Sequence, residues 1–134
     1  MKIARDLLRR WLYGRRPKRH ELVSPTGHLL ELQSGLADAE QRLGLKNTAR
    51  LVSLVCVAGA KKLDGYWGVE HPDGLKAGFC QPLGAGRYII TVYCDPRNIQ
   101  PRRDVVAHEA AHVLLYEAGV PHQEHHDRMK KAGI

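Results

Sequence analysis

No apolar run in this chain is long enough to cross a bilayer. The longest, Leu51 to Ala60, is about half of the roughly 20 residues a spanning helix needs. Cysteine is scarce and unpaired in pattern. Cys56, Cys80 and Cys94 are an odd number without CxxC spacing, which argues against a disulfide framework or a cysteine zinc cluster and for a reducing compartment. The start lacks a clean apolar h-region followed by a small-residue cleavage site, so a cytoplasmic location is expected. Internal repeats and low-complexity stretches are also missing, which excludes solenoids. What is present is an ordinary globular balance of 43% hydrophobic and 26% charged residues over 134 positions, enough for one core and not for two.

The charge is positive and uneven. Of 21 Lys and Arg, eight fall in the first 20 residues, where Asp6 is the only acid, and the whole chain carries a net +7. Ile3, Leu7, Leu8, Trp11 and Leu12 recur at helical spacing among these cations, and Gly14 and Pro17 end the pattern. Residues 1–26 are therefore expected to be a basic amphipathic arm and linker, and 27–134 a folded domain. Arg5, Arg9, Arg10, Arg15, Arg16, Lys18 and Arg19 are its candidate contacts to DNA or another polyanion. A solvated tail is the plain alternative, because charge alone carries no sequence specificity.

The domain opens with a predicted helix over 29–45, where Leu29, Leu32, Leu36, Ala39 and Leu43 repeat at three and four residues, with Gly35 against its continuity. Leu51 to Val57 reads as a buried strand. Tyr66 to Glu70 and Leu75 to Gln81 read as a hairpin across His71-Pro72-Asp73-Gly74, and Arg87 to Cys94 as a further strand ended by Asp95-Pro96. The expected class is α+β: a helix, then three or four mainly antiparallel strands, then a second long helix.

That second helix is marked at both ends, by Pro101 to Asp104 at its start and Gly119-Val120-Pro121 at its stop. Between them stands His108-Glu109-Ala110-Ala111-His112. Residues four apart lie on one helical face, so both imidazoles can reach a single ion, with His ligation favouring zinc. Glu109 lies off that stripe and is placed to take a proton from a water at an open coordination position, as a general base and not a ligand. A third ligand must come from beyond the turn. His122 is the first candidate, His126 and His125 the alternatives, and Glu124 a lesser one. Asp104 and Tyr116 extend the stripe by a turn each way. Asp104 either orients His108 or is a helix-start charge; Tyr116 either polarises a substrate carbonyl or packs in the core. The strand Arg87 to Cys94 is either an edge that pairs with an extended peptide or an interior strand.

Val105-Val106-Ala107-His108-Glu109-Ala110-Ala111-His112-Val113-Leu114-Leu115 resembles the active-site helix of zincin metallopeptidases. Val120-Pro121-His122, followed by Met129 to Ile134, resembles the segment of SprT-like proteases that supplies the third His and a short closing helix. The likeness covers about Tyr66 to Ile134. ImmA/IrrE-like peptidases, which carry the same motif with a downstream Glu as third ligand, are the second resemblance. The resemblance implies a minimal zincin-like domain and a zinc-dependent protease, cytoplasmic or phage-encoded and virion-associated, acting on protein or peptide substrates and in the SprT-like case on DNA-associated proteins. From a different class, a zincin fold serving only as a nucleic-acid-binding or phage assembly scaffold also accommodates the basic arm.

Overall fold

The computed structural model describes residues 20–134. The basic amphipathic segment and its seven candidate polyanion contacts lie outside these residues.

Among the described residues, seven strands and three helices follow in the order β1 (Glu21–Val23), α1 (Leu29–Leu43), β2 (Leu51–Ala58), β3 (Lys61–Leu63), β4 (Tyr66–His71), β5 (Gly74–Lys76), β6 (Gly78–Gly84), β7 (Arg87–Cys94), α2 (Arg103–Glu117) and α3 (His125–Lys131). A 3-10 turn, His122–Glu124, leads into α3. The class is α+β, as expected. The strands form two sheets, a four-stranded one ordered β1-β2-β7-β6 and a three-stranded one ordered β3-β4-β5.

Antiparallel pairing holds for β3–β4, β4–β5 and β6–β7, while β1–β2 and β2–β7 are parallel. The expected meander is therefore interrupted. β2 skips the hairpin strands and pairs along its whole length with β7, from Leu51 opposite Arg87 to Ala58 opposite Cys94. Burial on both faces explains why these two strands read as nearly continuous apolar runs. Val52, Leu54, Ile90 and Val92 join the main core, whereas Leu51, Val55 and Ile89 form a second cluster.

Two further departures have local causes. Glu21–Val23, expected within the linker, form β1, too short to show a period. Beyond Val23 the ladder continues through side chains: Ser24 Oγ donates to Leu54 O at 2.8 Å, and Thr26 Oγ1 accepts from Cys56 N–H at 3.1 Å. The single strand expected from Leu75 to Gln81 is split at Ala77, with β5 pairing to β4 and β6 to β7. The hairpin itself forms as expected, and Gly74 at φ 124° supplies its turn.

α2 is the centre of the core. Ten of its 15 residues are buried, because it packs against α1 as well as β6 and β7, and a helix covered on several sides is apolar nearly all round. Gly35 does not weaken α1; it lets the helices approach. A Cβ there would lie 2.5 Å from Val106 Cγ1. The same holds at Gly78, where a Cβ would sit 2.8 Å from Thr91 O and 3.4 Å from Glu109 Cγ. Closeness of β6 to α2 therefore requires glycine beside the motif. No helix among the described residues is long and apolar enough to cross a membrane.

Candidate metal centre

The end of α2 decides where the downstream histidines lie. Gly119 takes the left-handed conformation at φ 77°, its N–H bonds Tyr116 O at 3.0 Å, and the Val120 N–H reaches back to Leu115 O at 3.0 Å. This paired closure ends the helix as the Gly-Val-Pro sequence predicts. The chain reverses, makes its 3-10 turn, and enters α3 with His125 and Met129, four residues apart, facing the core. His126, one step round, is exposed.

Five histidines thereby meet beside α2. His108, His112 and His126 have ring centroids 5.2, 5.4 and 5.2 Å apart in a nearly equilateral triangle. His112, His122 and His125 form a second group, with centroids 5.8, 5.1 and 5.4 Å apart. In each triad the three residues offer nitrogens all within 4.8 Å of one another, so either could hold a metal ion, and both use His112. Every sequence candidate for the third ligand except Glu124 belongs to one of the two. All three cysteines are free thiols and none belongs to either group.

Three of the rings, His108, His112 and His125, are biased toward the neutral form. Burial holds His112 down to about 3, helped by repulsion from His108 and the other rings. Burial also lowers His108, with His126 adding to it, and burial lowers His125. Neutral imidazole is the form that binds a metal. Glu109, 6% exposed, moves the other way: loss of solvent pushes its carboxyl up to about 7, partly offset by the Lys76 ammonium.

Glu109, His108, His112, His122 and His126 line one cavity of about 680 Å³, walled on the far side by β5 and β6 through Lys76, Gly78 and Cys80. Lys76 carried no signal in the sequence, because the strand break at Ala77 that turns it toward the cavity could not be seen there.

Asp104 does not orient His108. Its carboxylate accepts hydrogen bonds from the Tyr66 hydroxyl at 2.7 Å, from Arg102 Nε and Nη2 at 3.1 Å each, and from Val105 N–H at 2.9 Å. Those contacts hold it below the usual carboxylate range, Arg102 foremost. It is a helix-start charge that ties β4 to α2. Tyr116 is half-buried, lines the cavity and hydrogen-bonds His122 Nδ1 through its hydroxyl at 2.7 Å. The strand Arg87 to Cys94 is β7, interior between β2 and β6 and not an edge; among the described residues β6 is an edge of that sheet. Pro82 within β6 agrees, since a residue without N–H is tolerated on an edge strand.

The chain matches no known family model, no curated protein and no solved structure.

Proposed function

We propose that the protein is a zinc-dependent metallopeptidase in which His108, His112 and His126 hold the ion and Glu109 is the general base. The observation that carries this reading is the triangle of three imidazoles opening onto the cavity that Glu109 also lines. Three rings bound to a tetrahedral ion at about 2.0–2.1 Å would have centroids roughly 5 Å apart, close to the spacing here.

The rival triad fits less well. His112 Nδ1 and His125 Nδ1 stand 2.8 Å apart, closer than the roughly 3.3 Å between two nitrogens on a tetrahedral zinc and typical of a hydrogen bond. The other nitrogen of His125 is bonded to Val120 O at 2.8 Å, so both of its nitrogens are engaged, whereas His122 spends only Nδ1 on Tyr116. Without His125 the turn-side group keeps two rings, so His126, which completes the cavity-side triangle, displaces His122 as the favoured third ligand.

A zinc held there supplies Lewis acidity and lowers the pKa of water toward about 7. Glu109 does the proton work: its carboxylate takes the proton of the attacking water and returns it to the leaving amine nitrogen. The closed floor of α2 and the β6 wall shelter the carboxylate from bulk solvent, which keeps its proton affinity high.

The test is metal content and peptide cleavage by the full chain and by Glu109→Gln. One zinc per chain is expected in both, with at least about 100-fold slower cleavage in the variant. Equal cleavage by both would refute the mechanism. The concentration of eight cations in the first 20 residues supports a second reading, in which the arm binds DNA and the domain is recruited to DNA-associated proteins, or serves in assembly without catalysis. Binding to DNA that falls steeply with salt, and is lost on deletion of residues 1–20, is its expected signature. Unchanged binding after deletion would exclude the arm as the contact.

A further inference from the structure

We infer that His125 is a positioning residue: it fixes the tautomer of His112 and aims that ring's Nε2 at the metal, without being a ligand itself. The inference rests on the metal reading above and adds a role that the ligand set alone does not contain.

The hydrogen bonds admit one consistent proton assignment. Val120 O can only accept, so the 2.8 Å contact from His125 Nε2 requires a proton on that nitrogen. The contact between His125 Nδ1 and His112 Nδ1, also 2.8 Å, needs one proton between two nitrogens. Were His125 the donor there too, it would carry both protons and a full charge. His112 Nδ1 would then be the acceptor and the proton of a neutral His112 would sit on Nε2, the nitrogen that the metal reading needs free. His125 is therefore the Nε2–H tautomer and accepts at Nδ1, and His112 donates from its own Nδ1. The lone pair of His112 is then left on Nε2, the nitrogen free to bind an ion.

A ligand histidine ordinarily gives its second N–H to a carboxylate or a backbone carbonyl, which orients the ring and raises its basicity. Here the carbonyl is reached through an intervening imidazole. The carbonyl's own position is fixed, because the Val120 N–H closes the end of α2 on Leu115 O. The stop signal of the helix thus acts back, through His125, on a residue two turns earlier in that helix. Met129, 1% exposed and one turn further along α3, anchors the element that carries His125.

The test uses the full chain with ¹⁵N-labelled histidine, loaded with zinc, and reads each ring's tautomer from two-bond proton–nitrogen spectra, alongside zinc affinity by chelator competition. Expected are a proton on His112 Nδ1 with zinc at its Nε2, a proton on His125 Nε2, and no zinc on His125. His125→Ala should still bind one zinc at saturation but about 10–100-fold more weakly. His125→Asn, whose side-chain oxygen falls near the vacated Nδ1, should recover most of that loss. Should the alanine variant fail to fold, the wild-type spectrum and the asparagine variant decide the matter. Zinc on a His125 nitrogen, a proton on His112 Nε2, or wild-type affinity in the alanine variant would overturn the proposal while leaving the metal centre standing. A wild-type chain that takes up no zinc would overturn both.

Discussion

The two histidine triads share one ring and differ in what the others are doing. On the cavity side, His108 and His126 flank His112 at nearly equal spacing, and His126 is exposed. On the turn side, His122 and His125 are committed to Tyr116 and to Val120. The same residue type at similar distances thus serves two ends. Proximity alone does not make a ligand; a nitrogen must also be free, and both nitrogens of His125 are engaged.

The sharpest way to break this contrast is to remove one exposed ring from each side. His126→Ala should weaken zinc binding by more than about 100-fold, while His122→Ala should change it by only a few-fold, both measured by chelator competition. The reverse order would hand the third-ligand role to His122 and the turn-side triad.

A smaller effect separates the cavity wall from the rest of the fold. In the metal-free chain, burial raises the Glu109 carboxyl to about 7, so the folded state binds that proton more tightly than the unfolded state does. The contribution of this group to stability is therefore most favourable below its ordinary value of about 4.3. It declines as pH rises and is at its worst above about 7. Glu109→Gln is expected to unfold at the same denaturant concentration as wild type near pH 4, and to be more stable by about 1–3 kcal/mol at pH 8. Parallel pH profiles for the two metal-free proteins would mean that the carboxylate is solvated after all. The least effect is expected from Tyr116→Phe. Losing the hydroxyl that bonds His122 should cost about 0.5–1.5 kcal/mol of stability and leave zinc affinity unchanged within about twofold.

Much of the site was legible because local rules and tertiary structure agree there. The bounds of α2, its left-handed Gly119 stop and the shared face of His108 and His112 all follow from spacing, caps and turn residues. The placing of the downstream rings was not legible. His122, His125 and His126 fall within five residues, and that His125 faces the core while His122 and His126 stay exposed depends on the 3-10 turn that leads into α3, which no periodicity encodes. The parallel pairing of β2 with β7 is equally hidden, since it joins residues 36 apart in sequence and leaves the intervening hairpin to a separate sheet. Gly35 shows the same limit: its cost to an isolated helix is local, whereas its value is set by Val106 on a neighbour.

Pro82 has a consequence for life at high concentration. Among the described residues β6 is an open margin of the four-stranded sheet, the kind of surface along which identical molecules zip together into fibrils. A proline near its far end, with the register slipping between Pro82 and Gly84, offers no N–H for a neighbour to grip and puts a kink where a second ribbon would need to lie flat. Gly78 to Gln81 can still receive a short extended segment, but a long one runs out of partners after a few residues. The same margin can thus welcome a brief guest and refuse an endless copy of itself.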